Sequence, residues 1–274
     1  MSLSSSFDLL DIPKDIILLI TDQLHSPGDF ALYRSLISHI KQNQNQQRSS
    51  RLRVVISTGQ HISRWDAILA KSNVNLSQQI AAKTVHFVDM SSSIPQAQTE
   101  VKGEKGQGGN PFNTLFKKVA SLFDQFETTA TEHDTTHRGA GAGALVILDD
   151  VSVLEWIGYE TMEIVRLCRA LRALCIKNQA TLVIRHHIVV TPGELDPLFR
   201  HLYSLCTYHL DVQPLTSGRS GDVRGQVALH HGPNAFSQST TTAVKTRQRS
   251  SALHYRLTDG AAVFFERGSS RGVL

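Results

Sequence analysis

The chain has 274 residues, 41% of them hydrophobic, with three cysteines and a formal net charge of +4. That length can bury the core of one α/β domain; Cys168, Cys175 and Cys206 are too few and too irregularly spaced for a disulfide framework or a paired-cysteine zinc site, which points to a reducing compartment. Residues 201–274 hold eight Lys/Arg against four Asp/Glu, so the basic surplus is C-terminal; a surplus this small gives weak attraction to phosphate and no sequence reading.

The opening, Met1 to Ile20, sets Asp8, Asp11, Lys14 and Asp15 before an apolar run, with no basic n-region and no small-residue cleavage signal, so no secretion is expected. Apolar stretches are strand-sized, well short of the roughly 20 residues of a membrane span, and a soluble protein is expected. Ile16 to Ile20 reads as a first strand, continuously apolar as in a parallel sheet covered on both faces. Asp29 to His39 follows as a helix, with Phe30, Tyr33, Leu36, Ile37 and Ile40 at helical spacing. Lys41 to Ser50, rich in Gln and Asn, reads as a solvated connector.

Leu52 to Ile56 is a second strand, Ser63 to Leu69 a helix facing inward through Trp65, Ile68 and Leu69, and Val85 to Asp89 a third strand. Polar residues Ser91 to Asn110 lead to an amphipathic helix marked by Phe112, Leu115, Phe116, Val119, Leu122, Phe123 and Phe126. After Thr128 to Gly143, the strongly apolar Ala144 to Leu148 is expected at the sheet centre. Ser152 and Glu155 have capping-box spacing and are expected to start one long helix burying Ile157, Ile164, Cys168, Leu171 and Cys175. Thr181 to Ile184 is a fifth strand. Tyr208 to Val212, Gln226 to His230, Leu253 to Leu257 and Ala262 to Phe265 then follow without helices between them, an antiparallel finish whose last turn carries the hairpin signal Asp259-Gly260.

A phosphate loop needs glycines and a Lys-Ser/Thr pair between first strand and helix. Asp22 to Asp29 holds one glycine, no lysine and two flanking acids. The glycine runs Gly103 to Gly109 and Gly139 to Gly143 lack the required context and read as connectors. Leu145 to Asp150 has the form of a Walker B strand, in which Asp149 and Asp150 would hold a nucleotide's magnesium; the plainer reading is a carboxylate favoured at the start of the next helix. Asp89 ends a strand where a water-activating carboxylate would sit, with no phosphate loop to serve. The pairs His186-His187 and His230-His231 cannot share one metal, because neighbours on a strand face opposite ways. Thirteen histidines allow a Ser/His/Asp triad on paper, but no Gly-x-Ser-x-Gly elbow accompanies them.

Arg166, Arg169 and Arg172 recur every three residues on the long helix. That stripe suits RNA, an acidic neighbour or plain solvent. Arg219 and Arg224 lie on the Gly-rich segment Ser217 to Gly225, which rises from the carboxyl side of the sheet, a posture suited to phosphate; the plain alternative is an exposed hairpin connection.

Leu148 to Leu154, Gly221 to Val227, and the ending Leu253 to Gly260 with Phe264 to Gly268 together resemble the Elongator complex protein six family. The resemblance implies a RecA-like (P-loop NTPase-like) α/β fold: a mixed, mainly parallel sheet flanked by helices, antiparallel C-terminal strands and no functional Walker A motif. Length and composition give one domain over 1–274 with flexible insertions around 41–50, 91–110 and 128–143, and the long polar insertions Gln42 to Ser50 and Ser91 to Gly109 are where the chain departs from shorter relatives. The resemblance further implies a non-catalytic subunit that joins Elongator proteins four and five in a hexameric ring, docks on the catalytic Elongator subcomplex, binds tRNA and supports wobble-uridine modification in the cytoplasm, with the nucleus as a second compartment. No cofactor is expected in the subunit itself, ATP at ring interfaces being left open. The competing reading is a divergent RecA-like ATPase acting alone through Asp149, Asp150 and a loop near Gly28.

Overall fold

The computed structural model describes residues 15–45, 51–90, 110–131, 143–189, 196–218, 221–235, 246–259 and 261–268. In chain order the elements are β1 (Ile17–Asp22), α1 (Asp29–Asn45), β2 (Arg53–Ser57), α2 (Ile62–Ala70), α3 (Leu76–Ala81), β3 (His86–Asp89), α4 (Pro111–Thr131), β4 (Leu145–Asp149), α5 (Ser152–Trp156), α6 (Thr161–Lys177), β5 (Thr181–His187), α7 (Pro197–Tyr203), β6 (Tyr208–Gln213), β7 (Val223–His231), a 3-10 turn (Arg249–Ser251), β8 (Leu253–Leu257) and β9 (Ala262–Phe265).

The nine strands form one sheet in the order β3-β2-β4-β5-β1-β6-β7-β8-β9. Neighbours from β3 to β6 run parallel, and β7, β8 and β9 are added antiparallel. Alternate residues of the apolar strands feed two cores. Ile17, Leu19, Val146, Leu148, Leu182 and Ile184 meet α4, α6 and α7 on one face. Ile16, Leu18, Ile20, Ile147 and Val183 meet α1 and α2 on the other. Each such side chain, removed from water, contributes about 1.5–3 kcal/mol before entropy is charged against it.

Several expectations are corrected here. The parallel strand at the centre of the nine is β1, and β4 lies third from one end, between β2 and β5. The Gln/Asn-rich connector is helical as far as Asn45, because α1 continues through Lys41 and beyond. The helix before the second Gly-containing stretch likewise runs to Thr131. Residues 46–50, 91–109 and 132–142, the remainder of the three insertions, lie outside the described residues.

The long helix from Ser152 is two helices. At the end of α5, Gly158 takes φ +101, and its N–H bonds Glu155 O at 2.9 Å while Tyr159 N–H bonds Leu154 O at 3.0 Å. These are the two bonds of a Schellman ending, which wants glycine at the left-handed position. Ser152 does not cap α5: the preceding residue, Val151, occupies the cap position without a side-chain bond. α3 and α7 were not anticipated, although each carries a side-chain cap, Asn75 accepting from Gln78 N at 2.8 Å and Asp196 from Phe199 N at 2.8 Å.

Candidate functional site

In parallel α/β sheets, ligands lie beyond the carboxyl ends of the strands. There β1 ends in Asp22, β4 in Asp149 followed by Asp150, and β5 carries Arg185, His186 and His187. The register sets Asp22 beside His187 across the β1–β5 pair and Ser57 beside Asp149 across β2–β4. Four strands thus bring polar side chains together at the ends of largely apolar runs.

Arg185 is the hub. It is 7% exposed and reaches Asp22 Oδ2 through Nη2 at 2.9 Å and Nε at 3.0 Å. Its Nη1 lies 3.4 Å from Asp149 Oδ1 and 3.4 Å from Asp150 Oδ2. Burial alone draws a guanidinium's pKa down, but the charges of Asp22, Asp150 and Asp149 reverse this and leave Arg185 raised above its ordinary value.

The carboxylates respond differently to that one cation. Burial raises Asp22, yet its bonds to His187, Arg185 and Gly28 N outweigh it and hold the carboxyl below its ordinary value. Asp149 is pushed up to about 6, first by burial and also by the adjacent charge of Asp150, against Arg185 and Ser57. Partners account for the contrast: Asp22 takes the His187 bond, two short guanidinium contacts and the Gly28 amide, whereas Asp149 has one long guanidinium contact and Ser57. Asp150 sits at φ +49, a left-handed position that short polar side chains tolerate. Thr58 Oγ1 donates to the backbone oxygens of both Asp149 and Asp150 and so fixes that turn.

The segment after β1 is a tight turn. Gln23 and Ser26 form an isolated bridge, and the N–H of Gly28 points back to Asp22 Oδ2 at 2.5 Å. An amide that a phosphate loop would turn toward an anion is satisfied here by the chain's own carboxylate. His186 and His187 face apart: His186 lies 2.8 Å from Ser152 Oγ and 2.7 Å from Asp196 Oδ2, His187 Nδ1 2.9 Å from Asp22 Oδ1. They tie α5 and α7 to β5 and the hub. Among the described residues no group of three or more His, Cys, Asp or Glu is arranged to hold a metal ion, and no helix is long and apolar enough to cross a membrane. Asp89 ends β3, half-buried and paired in register with Ser57.

The remaining predicted residues are scattered. Arg166 and Arg169 are exposed on α6; Arg172 is half-buried, and its Nη2 donates to Asn234 Oδ1 at 3.2 Å. Asn234 lies just past the end of β7, beside Cys206 at the amino-terminal edge of the parallel strands. Arg224 is exposed at the opposite, carboxyl-terminal edge from Arg172. Arg219 lies outside the described residues. Arg185 was missed from sequence. Its signal was there, one charge inside the buried run Leu182 to His186, which demands buried partners.

A family model described as Elongation complex protein 6 matches residues 8–259. No curated protein matches the sequence. Among solved structures, a KaiC-like protein from the hyperthermophilic archaeon Pyrococcus horikoshii OT3 superposes with a TM-score of 0.57 at 8% identity, covering 93% of this chain and 91% of that one. At that identity the likeness shows the fold alone, which is RecA-like.

Proposed function

The chain belongs to the Elongation complex protein 6 family, and from that membership as an Elongator subunit we propose that it is a non-catalytic scaffold. In this reading it forms a hexameric ring with Elongator proteins four and five, joins the catalytic Elongator subcomplex, contacts tRNA and supports wobble-uridine modification, in the cytoplasm with the nucleus as a second compartment.

The observation that carries the reading is the Arg185 hub. A RecA-like ATPase keeps its strand-end carboxylates for magnesium and its first turn for phosphate. Here Asp22, Asp149 and Asp150 are engaged by an internal guanidinium, and the Gly28 amide by Asp22. We assign Asp149 and Asp150 to that internal pairing; any ATP of the ring then depends on residues from another subunit. Large apolar side chains stand exposed after the carboxyl ends of three strands, Leu24 at 78%, Val189 at 59% and Trp156 at 57%, and subunit packing would cover them. The exposed Arg166, Arg169 and Arg224, with Arg219 on the adjoining segment, supply cations for RNA.

The test is co-expression with Elongator proteins four and five followed by native mass measurement. A ring with two copies of each is the expected result, and a monodisperse monomer indifferent to both partners would overturn the reading. Saturable ATP hydrolysis by the isolated chain, lost in Asp149→Ala, would establish the ATPase alternative instead.

A further inference from the structure

A groove opens at the carboxyl-terminal edge of the sheet, lined by residues other than those of the Arg185 hub: His25, Asp222, Arg224, Arg256 and Thr258 with Gly221 and Val223. Its basic residues come from three places in the chain: His25 from the turn after β1, Arg224 from the start of β7 and Arg256 from β8. Arg64, Arg185, Arg247 and Arg249 all hold carboxylates. Arg224 and Arg256 form no ion pair among the described residues. Asp222, the one acid lining the groove, pairs with neither.

The backbone holds Arg224 in place. Val223 pairs with Arg256 and Gly225 with Tyr255, which leaves Arg224 as the extra residue of a β-bulge. Bulges bend a strand and re-aim the side chain they carry. Ser26 Oγ donates to Arg224 O at 2.8 Å, fastening the bulge to the turn that bears His25. A Cβ on Gly225 would lie 2.5 Å from Gln213 O and 2.6 Å from Ser26 Oγ, so this close approach of β7 to β6 requires glycine.

We propose that this groove binds a phosphate group through Arg224, Arg256 and His25. Arginine's planar fork suits phosphate oxygens, and two forks with no ion pair among the described residues, on neighbouring strands, form a site that the sequence separates by 32 positions. The phosphate is either one unit of an RNA backbone, which rests on the tRNA reading above, or the terminal group of a free nucleotide.

The experiment uses the full chain in its assembly, with a labelled short oligouridylate in one arm and inorganic phosphate and ATP in the other. In the RNA arm, the double variant Arg224→Ala/Arg256→Ala binds about tenfold or more weakly at low salt, and its salt slope falls by about 1.4, two single-strand phosphate contacts. Asp222→Asn binds tighter. If the double variant instead loses phosphate and ATP while keeping oligouridylate, the groove stands and its ligand is a free phosphate. The proposal is overturned if both kinds of ligand bind the double variant as they bind wild type, or if Arg166→Ala/Arg169→Ala takes the whole loss. That last outcome leaves the tRNA reading intact. Unchanged melting of the variants confirms that the fold is not what was altered.

Discussion

Arg185 sets two nitrogens, Nη2 at 2.9 Å and Nε at 3.0 Å, on a single oxygen of Asp22. The pair joins adjacent strands at the point where RecA-like proteins bind nucleotide, and it makes the hub a structural element with measurable consequences.

Replacing Arg185 by Met keeps the volume and removes the charge. Three buried carboxylates would then lack their cation, a loss of about 3–5 kcal/mol for one partner of a buried pair. Urea denaturation at neutral pH measures it. The deficit should shrink at lower pH, where the orphaned carboxylates take up protons.

Asp149 and Asp22 give opposite pH dependences. With a folded pKa of about 6 against an ordinary 3.8, Asp149 keeps a proton in the folded state that the unfolded chain releases, so stability falls as pH rises between those values, by up to about 3 kcal/mol. Asp22, held below 3.8, contributes stability that is present above that value and lost as pH falls beneath it. Asp149→Asn should flatten the melting temperature between about pH 4 and 6 and leave the loss at lower pH unchanged.

Ser152 serves β5 and not the start of α5. Its Oγ accepts from His187 N at 2.7 Å and meets His186 Nδ1 at 2.8 Å. Ser152→Ala strands those buried groups and should cost about 1–3 kcal/mol, whereas Glu155→Gln should be close to neutral in the same denaturation series, because no capping box exists to break and glutamine keeps the Oε1 that accepts from Thr161 Oγ1 at 2.7 Å.

Two glycines should fail for different reasons. Gly225→Ala drives a methyl into Gln213 O and should cost about 1–3 kcal/mol or more by overpacking. Gly158→Ala meets nothing within 4 Å, but at φ +101 it should still cost about 1–2 kcal/mol. Thermal melting separates them by direction of repair: removing the hydroxyl in Ser26→Ala relieves part of the first and none of the second.

The strands were legible because a parallel sheet writes its burial as uninterrupted apolar runs, as in Ile16 to Ile20 and Ala144 to Leu148. Their order was not, since β1 reaches the centre by pairing with β5 and β6, more than 150 residues away. Gly158 and the Asp196-Pro197 start were both readable punctuation; the first was passed over in favour of apolar spacing that runs through the break, and the second begins a helix too short for its spacing to stand out. Of the candidate site, Asp149 and Asp150 were found by their motif and Arg224 by its setting. Arg185 had a local signal, a lone charge inside the largely apolar run Leu182 to His186, but its partners were not readable, and His25 and Arg256 had no local pattern, because what unites each with its neighbours is register across the sheet.

The Arg185 hub also bears on reversibility. Restoring a phosphate loop would take glycines and a Lys-Ser/Thr pair between Asp22 and Asp29, and the new site would still face a guanidinium seated among its carboxylates. Removing that guanidinium first unbalances three buried acids; building the loop first leaves it with nothing to hold. Each single step is penalised, so a phosphate loop and a free set of strand-end carboxylates would have to be introduced together.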